Sequence, residues 1–423
     1  MISLPPSVKK YLGRHVAAAG PWTLSGAQRK GLRGAVVIPS LAEGGSLFAT
    51  LDSLGQNPAE TCLDWLVLVV VNQRADAAVA EQQQNLGDLE RLADFAEHCR
   101  NPLAWVDAAS PGAELPDRHG GVGLARKIGM DLALTRLDWG RQPLLACLDA
   151  DTLVEPDYLP ALEAHFQHSS AGGAVLPFRH QPAGERSHQE AIDRYELFLR
   201  AYVLGLSLAG SPYAYASVGS AMACSAKAYV QCSGMNRRRA AEDFHFLNKL
   251  AKTAGVAPLK GTRVYPAPRV SARVPFGTGR SMARQLAGEV GVVRFYPLEV
   301  FEIVGRWLQL VTQGLSLDGA RLWQQADQVS RALGQYLKEC GWHQAWTSLQ
   351  ANHSVPAARL RAFHDWFDGL RTLRLVHALC DSSFQRSDDP QILAPLLAAC
   401  GLEVRNLSVP LVLEQLRRVQ DEV

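Results

Sequence analysis

The sequence predicts an α/β fold, in which a mostly parallel sheet is flanked by helices and followed by a helical C-terminal region. Short apolar runs alternate with amphipathic helical patterns as far as about residue 265, which is typical of strands joined by crossover helices. From about residue 290 onward, strand patterns disappear and apolar residues recur at helical spacing. We therefore expect a leader segment (1–32), a sheet-bearing domain (33–289) and a helical C-terminal region (290–423).

The elements follow from apolar runs and periodicity. Ser40 and Glu43 have the spacing of a capping box, so we expect a helix to open there, with Leu47, Leu51 and Leu54 on its buried face. The predicted strands are residues 34–39, 66–71, 103–106, 144–148, 174–177, 220–224 and 262–265. The predicted helices among them are residues 40–54, 76–100, 123–137, 155–168, 187–210 and 241–252.

The composition is that of an ordinary globular protein and argues against a nucleic-acid partner. Of 423 residues, 47% are hydrophobic and 20% are charged, and the net charge at pH 7 is +2. A nucleic-acid-binding domain would show a strongly basic face, yet no cluster of Lys and Arg stands out except Arg237–Arg239. We predict that this triplet lies in a solvated loop.

The cysteine usage and the N-terminal sequence predict the cellular compartment. Eight cysteines are scattered without a Cys-x-x-Cys pair, which is typical of a reducing environment and gives a structural zinc site little support. The sequence shows neither a signal peptide nor a run of 18 apolar residues. We expect a cytoplasmic protein, with peripheral contact to a membrane as the alternative.

Two aspartates, Asp149 and Asp151, directly follow the apolar strand 144–148. In extended backbone, residues i and i+2 point to the same side, so both carboxylates can meet one hard cation. A chain of this length holds about one Asp-x-Asp by chance, given average usage of charged residues. The position of the pair at the carboxyl end of a buried strand, where open α/β sheets bind ligands, favours a metal or ligand site over a surface turn.

Four motifs occur in order on these elements: Val36–Glu43, Gly123–Lys127, Leu148–Thr152 and Ala241–His245. They contain a strand ending in Pro-Ser with an acid behind it, an Ala-Arg helix start, the Asp-x-Asp, and a Glu-Asp that opens a helix. Together they resemble family 2 glycosyltransferases, which have the GT-A fold, over roughly residues 34–265. The resemblance implies transfer of a sugar from a nucleotide-sugar to a hydroxyl acceptor.

The resemblance also assigns roles to the acidic residues. A divalent cation, Mn²⁺ or Mg²⁺, would stabilise the departing diphosphate, with Asp151 as its direct ligand. Asp149 would hold the ribose, or the metal through water. Asp243 would be the general base of an inverting reaction, and Glu242 would orient it or bind acceptor hydroxyls. The alternative for Glu242 and Asp243 is a pair of helix-capping acids.

The nucleotide pocket is expected from the same motifs. Pro39, Ser40 and Glu43 would line it; the alternative is an ordinary strand end with a capping box. Arg126 could meet a phosphate or the base from the first turn of its helix, or be a structural arginine.

A further arginine-rich segment, residues 269–280, follows the sheet. Its three arginines, Arg269, Arg273 and Arg280, could form a mobile loop that closes on the diphosphate around a Gly-Thr-Gly hinge, with Arg273 as the expected binding residue. The alternative is a linker between domains.

The sequence departs from the family pattern at several positions. Ala42 stands where family members often have Asn, and Lys127 replaces another frequent Asn. The second strand ends in Asn72-Gln73 where an acid usually contacts the base or ribose, so the nucleotide stays open, with UDP or GDP favoured. The Gln-x-x-Arg-Trp pattern of processive synthases is missing, which favours transfer of single sugars.

Other functions stay open at this point. A retaining sugar transferase or a nucleotidyltransferase on the same fold would not need Asp243 as a base. A nucleotide-sugar-binding protein without turnover is a third hypothesis. An NAD-dependent oxidoreductase is disfavoured because the third glycine of the dinucleotide fingerprint is missing after Gly121 and Gly123. The acceptor could be a glycan, a lipid-linked sugar or a small molecule.

Overall fold

A computed structural model describes residues 4–15, 20–271, 277–403 and 407–422. The described residues divide into two compact units. The sheet unit comprises those within Met1–Glu185, Ser217–Arg280 and Gln420–Val423. The helical unit comprises those within Arg186–Ala216 and Ser281–Val419. Residues 186–216 thus belong to the helical unit, although they lie between strands in the sequence.

The predicted α/β class, with a mostly parallel sheet flanked by helices and a helical C-terminal region, is confirmed. The strands of the described residues are β1 (Ser25–Gly26), β2 (Gly34–Ser40), β3 (Trp65–Asn72), β4 (Leu103–Ala108), β5 (Leu144–Cys147), β6 (Thr152–Val154), β7 (Gly173–Val175), β8 (Met222–Ser225), β9 (Val256–Pro258) and β10 (Val264–Pro266).

The described residues form an eight-stranded sheet with the order β1-β4-β3-β2-β5-β8-β7-β9. Strands β4, β3, β2 and β5 run parallel, while β8 is antiparallel to both of its neighbours. Every residue of β2 and β3 is buried, as continuous apolar runs in a sheet covered on both faces require. Strands β6 and β10 form a separate antiparallel pair.

Helices surround the sheet and make up the helical unit. In chain order they are α1 (Pro6–His15), α2 (Gly45–Leu54), α3 (Ala59–Asp64), α4 (Val79–Ala96), α5 (Val122–Ala133), α6 (Tyr158–His168), α7 (Arg186–Leu208), α8 (Ala226–Gln231), α9 (Glu242–Ala254), α10 (Thr278–Leu286), α11 (Leu298–Gln313), α12 (Gly319–Val329), α13 (Arg331–Glu339), α14 (Trp342–Asn352), α15 (Pro356–Trp366), α16 (Gly369–Ser382), α17 (Ala394–Ala399) and α18 (Val409–Glu422). No helix in the described part of the chain combines the length and apolar character needed to cross a bilayer.

The predicted capping box at Ser40 and Glu43 is wrong. Ser40 is the last residue of β2, and α2 begins only at Gly45, with Gly44 as its N-cap at φ 54°. A left-handed backbone at this position favours glycine because it has no Cβ. The glycine pair therefore opens the helix, and Glu43 is left to make a different contact, described below.

The leader helix α1 is anchored to the sheet unit by a buried polar network. The hydroxyls of Tyr11 and Tyr229 donate to Asp131 Oδ1 at 2.6 and 2.7 Å. Lys127 Nζ donates to the Tyr11 hydroxyl at 2.8 Å and lies 3.0 Å from Asp131 Oδ2. Because every charged member has a partner, this network fixes the position of α1 and the orientation of α5.

The helical unit is built around aromatic residues. Trp307 of α11 meets Trp342 edge-on with ring centroids 4.8 Å apart, and Trp342 stacks on Trp346 at 5.0 Å. Gly205 of α7 lies against the Phe301 ring, where a Cβ would come within 2.4 Å. The apolar second half of α7 therefore packs on α11 within this unit.

Helix α5 lies so close to the sheet that Gly129 has no room for a side chain. A Cβ there would lie 2.4 Å from Val37 Cγ1 and 2.9 Å from Val70 Cγ2. We expect Gly129→Ala to lower the free energy of unfolding by about 1–3 kcal/mol through overpacking. Urea denaturation of the purified variant measures this.

Gly87 provides the matched control, because it also lies inside a helix but a Cβ there would meet no atom within 4 Å. Gly87→Ala should raise stability by about 0.5–1 kcal/mol, since alanine has the higher helix propensity. Equal effects of the two substitutions would contradict the close approach of α5 to the sheet.

Candidate active site

The four motifs meet at the carboxyl edge of the parallel strands in the sheet unit. Ser40 ends β2, and Asp149 follows β5, its parallel neighbour. Helices α5 and α9 both begin at this edge, with Arg126 and Glu242 in their first turns or close to them. The topology therefore brings together residues that are separated by up to about two hundred positions.

Arg126 links the Asp-x-Asp motif to the Glu-Asp motif. One amino group of its guanidinium contacts Glu242 Oε1 and the other contacts Asp149 Oδ1. The side chain is only 2% exposed. Burial alone would lower the pKa of Arg126, but Asp149 and Glu242 raise it above its ordinary value. The guanidinium therefore stays charged, and in this structure its two amino groups hold carboxylates.

Glycines make room for this arrangement. A Cβ at Gly219 would lie 2.4 Å from Arg126 Nη2. A Cβ at Gly123 would lie 2.4 Å from the Arg238 carbonyl oxygen and 2.9 Å from Glu242 Cβ. The segment before α9 consequently lies directly on the start of α5, which a side chain at position 123 would prevent.

The segment before α9 is also closed on itself. Asn236 Nδ2 donates to the Glu242 carbonyl at 2.8 Å, and the Arg238 amide donates to Asn236 Oδ1 at 3.1 Å. Ala241, the N-cap of α9, has φ 53°, a left-handed conformation that non-glycine residues seldom adopt. The backbone immediately before Glu242 and Asp243 is thus held in an unfavourable conformation by its surroundings.

Asp243 has an altered acidity. Burial raises the pKa of this carboxyl to about 7, with a further upward contribution from Glu242 that Arg126 opposes. Burial likewise raises the pKa of Glu242, and its contact with Arg126 lowers it. The Phe244 amide donates to Asp243 Oδ1 at 2.7 Å. A carboxyl with a pKa near neutrality can accept and release a proton at physiological pH.

Asp151 lies in a second group of charges. Burial raises its pKa to about 7; Arg269 opposes this shift, whereas Asp149 and Glu43 add to it. Arg269 contacts Glu43 Oε2, and its Nε lies 3.4 Å from Asp151 Oδ2. The Asp151 side chain is 14% exposed. Glu43, Asp149 and Asp151 therefore form an acidic group that Arg269 and Arg126 neutralise only in part.

The chemistry of these donors fits a divalent cation. Carboxylate oxygens are the ligands that Mg²⁺ and Mn²⁺ prefer. The described residues contain no cluster of three His, Cys, Asp or Glu arranged as a complete metal site. Mg²⁺ typically uses one or two carboxylates together with substrate phosphates and water, and Asp149 and Asp151 offer two such carboxylates.

The loop after β2 is supported by amides. Ala42 has φ 51°, and its amide donates to Asn85 Oδ1 at 2.7 Å. Asn85 Nδ2 donates to Gln73 Oε1 at 2.8 Å, and Asn72 Nδ2 donates to the Ser40 carbonyl at 2.8 Å. Asn72 and Gln73, which stand where an acid was expected, thus bind protein groups. Asparagine adopts a left-handed backbone more readily than most residues, which is why the Asn of the family pattern suits the position that Ala42 occupies here.

The other predicted pocket residues differ in placement. Pro39 is buried within β2, opposite Val70. The Ser40 hydroxyl is buried without a hydrogen-bond partner, as is that of Ser220, which follows Gly219. Orphaned hydroxyls at the carboxyl edge are available to a ligand. Arg273 lies outside the described residues.

Two further polar residues belong to this site. Arg269, one of the three arginines expected to close on the diphosphate, reaches Glu43 and Asp151. Gln181 Nε2 donates to the Asp151 carbonyl at 2.9 Å and to the Tyr265 carbonyl at 2.7 Å. Neither residue carries a motif, and only the fold brings them to the acidic group.

Part of the chain matches a known protein family. Residues 144–329 match the family model described as "Glycosyl transferase family group 2". This segment contains Asp149, Asp151, Glu242 and Asp243, whereas Ser40 and Arg126 precede it. Among curated protein sequences, none matches the chain significantly.

Solved structures with a similar backbone include two glycosyl-donor complexes. One is S. aureus TarS 1-349 with UDP-GlcNAc, at 14% identity over 92% of this chain and 93% of that chain, with a TM-score of 0.37. The other is the mannosyltransferase PcManGT from Pyrobaculum calidifontis with GDP-Man and Mn²⁺, at 14% identity over 88% and 90%, with a TM-score of 0.38.

The raised pKa of Asp243 predicts a pH-dependent stability. An aspartate in the unfolded chain titrates near 3.8, so the folded state binds more protons between about pH 4 and pH 7. The free energy of unfolding therefore falls as pH rises through this window, and it levels off above it. Asp243→Asn removes this contribution. The free energy of unfolding of the variant minus that of wild type should therefore be about 1–2 kcal/mol larger at pH 8 than at pH 5.

Urea denaturation of both proteins at pH 5 and pH 8 measures this difference. Asp94→Asn is the control, because Asp94 lies on an exposed part of α4 and should show the same difference from wild type at both pH values. A constant difference for Asp243→Asn as well would show that Asp243 titrates normally.

Proposed function

We propose that the chain is a glycosyltransferase of family group 2, whose model matches residues 144–329. It would transfer a single sugar from a nucleoside-diphosphate donor to a hydroxyl acceptor, in a metal-dependent reaction that inverts the anomeric centre. The observation that carries the proposal is the Arg126 bridge. It joins Asp149, beside the proposed donor site, to Glu242, beside the proposed base Asp243. Donor and acceptor groups would thus be held in fixed relation on one edge of the sheet.

The donor end depends on the acidic group. Asp151 would hold Mn²⁺ or Mg²⁺, and Asp149 would bind the ribose or the metal through water; the cation would offset the charge that develops on the leaving diphosphate. The buried Ser40 hydroxyl, which lacks a partner, and the loop of Ala42 and Glu43 would border the nucleotide. Arg269 would exchange its contact with Asp151 for one with a phosphate oxygen. UDP- and GDP-sugars are the first donors to test.

The acceptor end depends on Asp243. An inverting transfer needs a carboxylate that takes the proton of the acceptor hydroxyl while its oxygen attacks the face opposite the leaving group. A pKa of about 7 makes Asp243 a stronger base than an ordinary aspartate while leaving much of it ionised at neutral pH. Arg126 holds Glu242 in place, so Glu242 would orient the acceptor and Asp243 would receive the proton.

Removal of the direct ligand tests the donor site. Asp151→Ala should lower the release of nucleoside diphosphate by at least about a hundredfold, since a lost electrostatic contact to the leaving group costs several kcal/mol. A panel of UDP- and GDP-sugars with Mn²⁺ or Mg²⁺ measures this release. Asp94→Ala, on an exposed part of α4, should behave as wild type. Undiminished release by Asp151→Ala would contradict the assignment.

Asp243→Asn tests the stereochemical course. The variant keeps an oxygen that can accept from the Phe244 amide but loses the base, so transfer to acceptor should fall about 10²–10⁴-fold with donor binding unchanged. Proton NMR of the first product formed by wild type reports the anomeric configuration. A retained configuration, together with nearly full activity of the variant, would favour a retaining enzyme. Donor binding without any turnover by wild type would favour a binding protein.

A further inference from the structure

Three consecutive arginines, Arg237–Arg239, precede the proposed base and have no role in the mechanism above. All three are exposed, and they lie four to six residues before Asp243. None of their side chains forms an ion pair or hydrogen bond with the described residues. Three neighbouring guanidinium groups without counter-ions repel one another, so this charge is unfavourable to the unliganded protein.

The backbone that carries these arginines is fixed beside the site. Asn236 closes the loop onto the Glu242 carbonyl, and the Arg238 carbonyl and the Arg239 Cα lie against Gly123 and Gly121. The arginines consequently lie on a loop anchored at both ends to the elements that hold Arg126 and Asp243.

The positive charge extends beyond the triplet. Burial lowers the pKa of Lys127, and Arg237 and Lys249 lower it further, while Asp131 opposes them. Arg237 and Lys249 are therefore each close enough to Lys127 to act on it electrostatically. Asp131 already pairs with Lys127, whereas Lys249 donates, within the described part of the chain, only to the Gly234 carbonyl, at 3.1 Å, and so adds positive charge beside the loop.

From these observations we propose that the acceptor carries phosphate groups, and that Arg237, Arg238 and Arg239 bind them while an acceptor hydroxyl reaches Asp243. The inference rests on the proposed function, because the acceptor hydroxyl must come within hydrogen-bond distance of the base. Its other substituents must then pass over the loop that precedes Asp243. Guanidinium groups bind phosphate oxygens in pairs, which arginine achieves better than lysine.

A phosphate-bearing glycan or polyol fits this loop better than a lipid surface. Amphipathic segments that insert into a membrane surface place large apolar residues beside their basic charges. The exposed large hydrophobic residues of the described chain lie elsewhere, the nearest in sequence being Leu208 and Val270. The surface of the loop is therefore polar and cationic without an apolar anchor.

A binding experiment on the full-length chain tests the proposal. Mn²⁺ and an excess of UDP and GDP are present, so that the donor phosphate site is filled. The probes are phosphorylated dextran, neutral dextran and phosphatidylcholine vesicles that contain phosphatidylglycerol. We expect wild type to bind phosphorylated dextran and not neutral dextran. The triple variant R237Q/R238Q/R239Q should bind at least about tenfold more weakly, because each charge-assisted pair contributes more than a neutral hydrogen bond.

Two further variants separate local recognition from net charge. R29Q/K30Q/R100Q removes the same number of charges from exposed positions near the amino ends of β2 and β4, and it should bind within about twofold of wild type. R237K/R238K/R239K keeps the charge but loses the paired geometry, and it should bind with intermediate affinity. Thermal unfolding checks that each variant is folded.

Binding of neutral dextran as tight as that of phosphorylated dextran would overturn the proposal, as would an equal loss of affinity in the two glutamine variants. Binding of the vesicles alone would also overturn it and would indicate a membrane surface. Release of nucleoside diphosphate by wild type from the donor panel is measured in parallel. Release without phosphodextran binding refutes only the phosphate-bearing acceptor, whereas failure to release with any donor refutes the proposed function itself.

Discussion

The candidate active site depends on one buried guanidinium group, that of Arg126. Arg126 is almost fully enclosed, and its two amino groups hold the carboxylates of Asp149, which follows β5, and of Glu242 in α9. Removing one partner from a buried charge pair is far more costly than the pair itself is stabilising, because the remaining charge stays desolvated. Asp149, Glu242 and Arg126 therefore constrain one another, and the elements that carry them cannot shift independently.

Small residues make this close packing possible. Gly219 leaves room for the guanidinium, and Gly123 lets the segment before α9 lie on α5. Gly129 in turn lets α5 approach β2 and β3. A side chain at any of these positions would push apart the elements on which the charged residues sit. The catalytic geometry proposed here thus depends on backbone contacts that have no chemistry of their own.

The sequence predicted the parts of this arrangement that depend on local pattern. The buried strands, the α/β class and the order of the four motifs follow from apolar runs and short spacings. The predicted start of α2 was wrong. The spacing of Ser40 and Glu43 indicated a capping box, whereas the helix opens at the pair Gly44 and Gly45. Gln181 was missed because its contact with the Asp151 carbonyl exists only through the fold. Arg269 was expected as one of three arginines near the diphosphate, but its contacts with Glu43 and Asp151 could not be predicted from spacing.

The remaining charges suggest how substrates and stability are connected. At the donor end, burial and the neighbouring acids Asp149 and Glu43 raise the pKa of Asp151. This acidic group therefore lacks positive charge. At the loop of Arg237–Arg239, exposed cations lack partners and leave an excess. A cation with a nucleotide, and an acceptor with phosphate groups, would correct both imbalances. The unliganded protein tolerates unfavourable charges that ligands relieve, so substrate binding should stabilise the sheet unit.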